Sequence, residues 1–299
     1  MRRIVSACPG SCGEWLQGWM MGGEKLISYA IDSFSRVTLE EADQPTDGHL
    51  WLRQHRPRAW QMMQLVMEKA AIPLEEQKSF RLSLESPLPL AKGMASSTAD
   101  LAAVGDAVTR WFGKELSAQE LTTLCAQLEP TDSILFPSLS LVDPLTGEVS
   151  LTFEEAPPEL ELVVLEGKKG IVTETSRKAG HDEKRKAYAT EMDKALNLFR
   201  KGLKEKEASF LAEAAWISAQ GNEVFYPQAG LEVIREVALR CGAMGINVAH
   251  SGSTIGVLYR SKEMDREKFQ HHWQGLACSS EYQTPRHQQM IAGGIRREE

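Results

Sequence analysis

The segment from Pro89 to Asp100 carries residue types that suit the binding of an anion. It reads P-L-A-K-G-M-A-S-S-T-A-D, with small residues on both sides of Met94 and an apolar-periodic helix directly behind two serines. Glycine and alanine let a backbone approach a phosphate closely. The first helical turn adds unbonded N–H groups and the positive end of the helix dipole. We therefore expect a phosphate chain to bind here, with the serine hydroxyls as further donors or as a magnesium ligand.

A second interpretation of these residues needs no ligand. Ser97 and Asp100 have the S-x-x-D spacing of a capping box, which many helices use to bond their first amides. Because such a motif is common, the phosphate interpretation depends on whether the rest of the chain supplies other parts of a nucleotide site.

Length and composition indicate a globular protein. The 299 residues, of which 42% are hydrophobic and 25% charged, suffice for two ordinary domains or one large one. A net charge of −7 argues against a nucleic-acid partner, and no apolar run reaches the roughly 18 residues of a membrane span. The first apolar run is too short for a signal peptide, and five scattered cysteines indicate reduced thiols and no zinc site. These features predict a cytoplasmic protein.

Helix and strand patterns mix along both halves and predict an α+β fold. The predicted strands lie at 3–7, at 25–42 as two strands around Asp32–Ser33, and at 80–86, 138–142, 148–153, 160–165, 246–249 and 254–259. The predicted helices lie at 58–71, 97–112, 117–128, 181–219 as two helices broken near Lys204, 228–241 and 262–273. The proline pair Pro157–Pro158 predicts a boundary between a domain of residues 1–156 and one of residues 157–299.

Two more Gly/Ser-rich turns flank the central one along the chain. The early turn is P-G-S-C-G-E-W-L-Q-G at 9–18, and the late turn is A-H-S-G-S-T-I-G at 249–256. Each turn alone is common, but all three in this order are not expected by chance. Other nucleotide motifs are missing from the sequence, including G-x-x-x-x-G-K-[ST], H-R-D, D-F-G and a strand–G-x-G-x-x-G–helix unit.

The three turns resemble the motifs of the GHMP kinases, the superfamily of galactokinase, homoserine kinase and mevalonate kinase. Its motif P-x-x-x-G-L-G-S-S-A is matched here with two departures, Ala95 for a glycine and Thr98 for an alanine. The resemblance implies an α+β protein with an N-terminal ATP-binding domain like that of a ribosomal small-subunit protein, including a left-handed crossover, and a ferredoxin-like C-terminal domain. It implies that ATP and magnesium bind at the central loop through Pro89, Lys92, Gly93, Met94, Ala95, Ser96, Ser97 and Thr98.

The resemblance also assigns catalytic roles in the segment L-E-P-T-D-S at 128–133. It implies that Glu129 and Ser97 hold magnesium, and that Asp132 orients or deprotonates the acceptor hydroxyl. The superfamily separates its two carboxylates by a longer stretch, whereas Glu129 and Asp132 are only three positions apart. Glu120 therefore stays open as an alternative to Glu129, and positioning without a base stays open as an alternative mechanism.

The residues of these motifs most resemble one branch of the superfamily. That branch phosphorylates the side-chain hydroxyl of L-threonine and gives O-phospho-L-threonine for the side arm of cobalamin. An ammonium group would need a carboxylate, for which Glu14 or Asp132 could serve. A substrate carboxylate would need an arginine, for which Arg286 and Arg36 are the alternatives. The substrate contacts that the resemblance implies are Ser11, Cys12, Glu14, Gln17, His250, Ser251, Gly252 and Ser253.

Three other functions stay open on the sequence. A kinase of another small alcohol, such as homoserine or a mevalonate-like acid, would differ only in its acceptor pocket. A nucleic-acid or translation-associated module on the same N-terminal fold is disfavoured by the acidic charge. A catalytically silent sensor of a small ligand is disfavoured because Ser97 and Asp132 are present. The sequence makes no prediction of the oligomeric state.

Overall fold

The computed structural model describes residues 2–44, 49–170 and 181–298. Helices and strands occur together in these ranges, in runs of either kind, which confirms the α+β class. The strands are β1 (Arg3–Met20), β2 (Gly23–Glu41), β3 (Phe80–Glu85), β4 (Ser140–Val142), β5 (Val149–Thr152), β6 (Glu161–Glu166), β7 (Gly245–Val248), β8 (Thr254–Tyr259), β9 (Arg286–Ile291) and β10 (Arg296–Glu298). The helices are α1 (Leu50–His55), α2 (Pro57–Lys69), α3 (Ser96–Trp111), α4 (Ala118–Leu128), α5 (His181–Ala187), α6 (Ala189–Glu205), α7 (Ala208–Glu223), α8 (Leu231–Arg240) and α9 (Arg266–Gln274), with short 3-10 helices at Leu74–Ser79 and Ala277–Glu281.

The described strands form one antiparallel path in the order β10-β1-β2-β9-β6-β8-β7, and β3 and β4 branch from β2. The late strand β9 joins the two halves of this path. It contacts β2 at Ala30 and Ile31 and pairs with residues 161–164 of β6. Elements from the beginning and the end of the chain therefore meet in the middle of the sheet, beside the turns that the sequence singles out.

Two strands are much longer than the sequence patterns predict. The turn residues at 9–13 are predicted to end β1, and Asp32–Ser33 is predicted to divide β2, but β1 continues to Met20 and β2 is unbroken. These two predictions are wrong because β-bulges absorb the turn residues. The register between β1 and β2 shifts between Pro9 and Ser11, between Ser11 and Glu14, and again before Leu16. Such bulges re-aim the side chains that follow them.

The helices agree with the predictions apart from shifted ends and two additional described helices, of which α1 at Leu50–His55 is one. The charged segment after residue 180 holds three described helices (α5 to α7) instead of two, and the chain turns at Lys206, which has a φ of +56°. The last helix, α9, begins at Arg266 instead of Lys262 because the Asp265 side chain caps it through the backbone N–H of Lys268. None of the helices in the described ranges is long and apolar enough to cross a membrane.

Two apolar clusters lie on the sheet. The larger one surrounds α3, whose small residues Ala99, Ala103 and Ala107 are fully buried and let the helix lie close against β1 and β2. The smaller one packs α8 and α9 against the late strands, with Phe269 and Trp273 among its members. Strand β6 contributes residues to both clusters. The division at residues 156 and 157 stays a prediction.

Candidate active site

The three Gly/Ser-rich turns contact one another. A Cβ added to Gly252 would lie 2.2 Å from the carbonyl oxygen of Lys92, and one added to Gly93 would lie 2.3 Å from the Cβ of Ala249. The early turn joins them through the backbone N–H of Ser11, which donates to the carbonyl of Met94 at 3.1 Å. These contacts require glycine, because any side chain would push the turns apart.

The central turn places the first residues of α3 at the edge of a cleft. Ala91, Gly93 and Ala95 have φ values of +57°, +75° and +53°, so every second residue here is in the left-handed region. The capping box at 97–100 is not formed: Ala95 is the N-cap, and no side chain caps the helix. Asp100 instead accepts from the Ser35 hydroxyl and pairs with Arg56. The uncapped helix start is therefore available to an anion.

The cleft brings together residues from all three turns and from the acidic segment. Its floor and walls combine hydroxyl groups, carboxylates and two basic side chains, which is the mixture that phosphoryl transfer needs. The residues that line it are Glu14, Leu26, Arg58, Leu90, Ala91, Gly93, Met94, Ala95, Ser96, Ser97, Thr98, Glu129, Pro130, Thr131, Asp132, Pro144, His250 and Ser251.

Asp132 is held at the inner end of this cleft. Its Oδ2 accepts from the Thr98 hydroxyl at 3.1 Å, and its Oδ1 accepts from the Ser28 hydroxyl at 3.4 Å. Burial raises the pKa of the Asp132 carboxyl, while the hydrogen bonds from Thr98 and Glu14 oppose that rise. The carboxyl group is thereby oriented toward the cleft and made more basic than an exposed aspartate.

Glu14 lies beside Asp132 and is only 2% exposed. Burial raises the pKa of Glu14 well above its usual value, and the neighbouring Asp132 charge raises it further. The interaction between the two carboxyl groups raises the pKa of Glu14 and opposes the rise in the pKa of Asp132. The backbone N–H of His250 favours the charged form of Glu14. The inner end of the cleft is therefore a carboxyl pair.

Glu129 lies next to Ser97, which favours it over Glu120, and its role as a magnesium ligand stays a prediction. Burial raises the pKa of Glu129, whereas the hydrogen bond from Ser97 and the charge of Arg58 lower it. Glu120 is part of a true capping box with Ser117 at the exposed start of α4, and it does not line the cleft. Of the two glutamates, only Glu129 is placed to share a ligand with Ser97.

The donor set at Ser97 and Glu129 fits a magnesium ion that also binds a nucleotide. Magnesium commonly takes one or two protein oxygens and completes its octahedron with phosphate oxygens and water. Within the described ranges, no group of three His, Cys, Asp or Glu side chains could hold a metal on its own. One hydroxyl and one carboxylate beside a helix N-terminus match the first arrangement and not a site built from protein ligands alone.

His250 lines the cleft while its ring faces inward. Its Nδ1 lies 2.8 Å from the Oε1 of Gln17, and its Nε2 lies 3.0 Å from the Oε1 of Glu24. Gln17 is oriented because its amide nitrogen donates to the carbonyl of Val248 at 3.1 Å. Arg185 of α5 lies 3.7 Å from Glu24. Gln17 and His250 are both predicted as substrate contacts. In the structure their side chains bond to each other and to Glu24, on the side of His250 away from the cleft.

Several predicted contacts lie outside the cleft lining. The Lys92 ammonium donates to the carbonyls of Gly167 and Lys168, and the Ser253 hydroxyl donates to the carbonyl of Lys169. Ser11 and Cys12 are buried within the early turn, and burial raises the pKa of the Cys12 thiol to about 12. The Lys92 and Ser253 side chains tie the turns to residues 167–169, whereas the Ser11 hydroxyl has no hydrogen-bond partner among the described residues. Pro89 and Gly252 do not line the cleft, and Gly252 allows a close backbone approach.

The two arginines suggested for a substrate carboxylate lie outside the cleft, and a different arginine lines it. Arg286 pairs with Glu166 at 2.7 Å and Arg36 pairs with Glu298, and neither lines the cleft. Among the described residues, the arginine that lines the cleft is Arg58, whose guanidinium donates to the carbonyl of Leu128 at 2.7 Å. In the sequence Arg58 stands in the first turn of an amphipathic helix, and no local pattern marks it as different from a surface residue.

Comparison with known proteins gives the same class as the geometry. The model of the family described as "GHMP kinases N terminal domain" matches residues 58–136. An L-threonine kinase of Salmonella typhimurium is 33% identical over 278 residues, which cover 90% of each chain. An L-threonine kinase of Citrobacter freundii is 33% identical over 254 residues, which cover 85% of each chain. The chain belongs to the GHMP kinases and is a small-molecule kinase.

Solved structures show the same fold at low sequence identity. A homoserine kinase from Cytophaga hutchinsonii has a TM-score of 0.72 at 16% identity, covering 100% of this chain and 98% of that one. A mevalonate kinase from Methanococcus jannaschii has a TM-score of 0.67 at 16% identity, covering 98% and 99%. These similarities confirm the predicted two-domain α+β architecture.

Proposed function

We propose that this protein transfers the γ-phosphoryl group of ATP to the side-chain hydroxyl of L-threonine, producing O-phospho-L-threonine and ADP. The observation that carries the proposal is the position of Asp132, which faces the same cleft as the uncapped start of α3. The helix start suits a phosphate chain, and the neighbouring Asp132 carboxyl suits a hydroxyl that must lose a proton. The two L-threonine kinases among the relatives support the choice of acceptor.

The phosphate chain of ATP would lie on the central turn. The backbone N–H groups at the start of α3 and the Ser96 and Ser97 hydroxyls are donors at the edge of the cleft. The helix dipole adds partial positive charge at the same place. Magnesium, held by Ser97 and Glu129, would neutralise charge on the β- and γ-phosphates when bound. Arg58 adds a second positive charge beside Glu129.

The acceptor hydroxyl would lie against Asp132. In the reaction its oxygen forms a bond to the γ-phosphorus, while the bond from that phosphorus to the β,γ-bridging oxygen breaks and ADP leaves. The hydroxyl proton passes to the Asp132 carboxylate, whose pKa is raised by burial and which is therefore a better base than an exposed aspartate. Thr98 and Ser28 keep the carboxylate in one orientation throughout.

The similarity to L-threonine kinases also supports a cellular role. We propose that the phosphorylated threonine is used for the side arm of cobalamin, and that the protein works in the cytoplasm. An ATP- and magnesium-dependent kinase is consistent with both proposals. A biosynthetic role would be tested by deleting the gene and measuring whether cobalamin synthesis is restored by added O-phospho-L-threonine.

The activity is tested by incubating the protein with ATP, magnesium and, separately, L-threonine, L-homoserine or mevalonate. We expect ADP release and a phosphate monoester, detected by phosphorus NMR, with L-threonine as the best acceptor. Ser97→Ala should lower turnover by about a hundredfold or more, because it removes a ligand of the metal–phosphate unit. The exposed Ser280→Ala is the matched control and should behave as wild type. Turnover with homoserine or mevalonate but not threonine would contradict the proposal.

A further inference from the structure

The His250 ring lies between two side-chain oxygens, one at each of its nitrogens. Its Nδ1 lies 2.8 Å from the Oε1 of Gln17, and its Nε2 lies 3.0 Å from the Oε1 of Glu24. A neutral imidazole has one N–H donor and one acceptor nitrogen, whereas an imidazolium has two donors. If both oxygens can only accept, a neutral ring would turn a lone pair toward one of them, and only the imidazolium would satisfy both.

The orientation of the Gln17 amide is fixed by its second contact. Its Nε2 donates to the backbone carbonyl of Val248 at 3.1 Å, and a carbonyl oxygen can only accept. Turning the amide over would place its oxygen against that carbonyl oxygen, so the hydrogen-bond network requires Oε1 to face the ring. Gln17 therefore supplies an acceptor to Nδ1 and cannot supply a donor.

Glu24 supplies the second acceptor and lies beside a fixed cation. The Glu24 and Arg185 side chains are each only 4% exposed, and the Arg185 guanidinium lies 3.7 Å from the same Oε1 atom that His250 contacts. The guanidinium is itself held over the ring of Phe225, at 4.8 Å from its centre. Because arginine stays charged at any working pH, it favours the carboxylate of Glu24 over the neutral acid.

The charges of this buried cluster do not cancel. Arg185 offsets the charge of Glu24, so the charge of the His250 ring is left uncompensated beside the cleft. Asp182 lies 3.8 Å from Arg185, but its side chain is 68% exposed and is screened by water. The cluster therefore contributes one positive charge at the late turn.

Two carboxyl groups share the cleft with His250. Glu14 of β1 bonds to the backbone N–H of His250, and the positive charge of His250 lowers the pKa of Asp132 in the acidic segment. All three residues line the cleft. A triphosphate that enters such a cleft adds further negative charge, and a preorganised cation beside the carboxyl groups offsets it.

We propose that His250 is a fixed imidazolium of the cleft, that Glu24 is the positioning residue that holds it in this state, and that Arg185 offsets the charge of Glu24. Neither Glu24 nor Arg185 is among the residues that line the cleft, so both act through the ring. The ring charge then helps the cleft to accept ATP beside Asp132. This kinetic consequence rests on the proposed function, whereas the charge state of the ring does not.

The charge state can be measured on the protein alone. NMR spectra of isotope-labelled histidine distinguish a ring with two N–H groups from a ring with one, and the signals of His250 are identified by their loss in His250→Gln. An exposed histidine has lost its second proton by about pH 8. We expect the wild-type His250 ring to keep both protons from about pH 6 to about pH 8, because both of its partners are acceptors.

Glu24→Gln keeps the size of the side chain and removes the charge that favours the second ring proton. In this variant the His250 ring should lose that proton between about pH 6 and about pH 8. Its kcat/KM for ATP should match wild type within about twofold near pH 6 and fall about threefold to tenfold below wild type near pH 8. General damage to the fold would lower both values alike. The exposed Glu183→Gln is the matched control and should follow wild type at both pH values.

Arg185 has a different signature. Arg185→Met leaves the carboxylate of Glu24 in place, so the ring should keep both protons, but the charge of Glu24 is no longer offset. We therefore expect kcat/KM for ATP to fall by about threefold or more near pH 6 and near pH 8 alike. Arg185→Lys restores a positive charge beside Glu24 and should recover most of this loss.

Two results would overturn the inference while leaving the proposed function standing. One is a wild-type His250 ring with a single proton near pH 8. The other is a Glu24→Gln variant whose ring protonation and pH profile match those of wild type. The wild-type spectra decide the matter alone if the variant fails to fold. A wild-type protein that phosphorylates no hydroxy amino acid would instead contradict the proposed function, and its His250 spectra would still test the charge state.

Discussion

Thr98 offers a direct test of Asp132, because this chain has a threonine where the superfamily motif has an alanine. Its hydroxyl donates to Asp132 Oδ2 at 3.1 Å and lies 3.4 Å from the backbone N–H of the same residue. Thr98→Val keeps the shape of the side chain and removes both contacts. The hydrogen bond from Thr98 lowers the pKa of Asp132. Removing it should therefore raise that pKa further above the ordinary aspartate value.

The size of the shift follows from the worth of the lost bond. A hydrogen bond to a charged group contributes about 1.5–3 kcal/mol, which corresponds to roughly one to two pH units. Ser28 and Glu14 still contact the carboxylate, so we expect the lower end, about one unit. Because the ionised carboxylate is the active form, the acid limb of the kcat/KM profile should move to higher pH by about that amount. On this limb activity should fall about tenfold, with little change on the plateau.

The measurement is kcat/KM for L-threonine over a pH series, made on wild type, Thr98→Val and Thr98→Ser. The serine variant retains the hydroxyl and should keep the acid limb within about a few tenths of a unit of wild type. If all three enzymes share the same acid limb, the ionised form of Asp132 does not limit the reaction. Catalysis would then rest on positioning, and the role of Asp132 as base would be refuted.

Three further changes probe other parts of the site. The charge of Arg58 lowers the pKa of Glu129. Arg58→Gln should therefore raise the magnesium concentration needed for half-maximal activity several-fold near pH 6 and by a smaller factor near pH 8. An equal increase at the two pH values would contradict this prediction. Gly252→Ala should lower the free energy of unfolding by about 1–3 kcal/mol in a urea titration and weaken ATP binding, because the new Cβ would lie 2.2 Å from the Lys92 carbonyl oxygen. The control is Gly275→Ala, whose Cβ would lie 3.4 Å from its nearest neighbour. The raised pKa of Glu14 means that the folded state binds this proton more readily than the unfolded state, a stabilisation present at low pH and lost as pH rises through the folded pKa. Wild type should therefore lose stability relative to Glu14→Gln as pH rises from about 5 to about 8, and parallel curves would refute this.

Local spacing was enough to predict the central turn, because its chemistry lies within one short segment. Gly93, the two serines and the start of α3 are neighbours in the sequence, and the structure keeps them together. The choice between a capping box and an open helix start could not be made in this way. Ser97 has the right spacing for either outcome, and only the folded chain shows that Asp100 turns to Ser35 and Arg56.

The residues behind the cleft could not be predicted, since they are brought together over long distances in the chain. His250 meets Gln17 across 233 positions and Glu24 across 226 positions. Their partners depend on how β1 and β2 pair, and the turn-like residues at 9–13 suggest that β1 ends before Gln17. A turn composition is a local property, whereas continuing a strand through bulges depends on the neighbouring strand.

Arg58 shows the same limit for a single charge. Its position on α2 is fixed by apolar residues such as Met62, Met63 and Val66, which are buried against the core. These residues predict the helix itself. They do not predict that its first turn contacts the end of α4. Because the carbonyl of Leu128 receives Arg58 at the C-terminus of α4, the same contact brings a positive charge to Glu129.

The charges within the cleft connect these observations. The start of α3 and Arg58 contribute positive charge to the lining, and Glu14, Glu129 and Asp132 contribute carboxyl groups. A phosphate chain is attracted to the helix start and to Arg58, while the Thr98 hydroxyl in the first turn of α3 donates to Asp132. A γ-phosphate on the helix start and a neutral hydroxyl at Asp132 would therefore be neighbours, where Asp132 can take the proton.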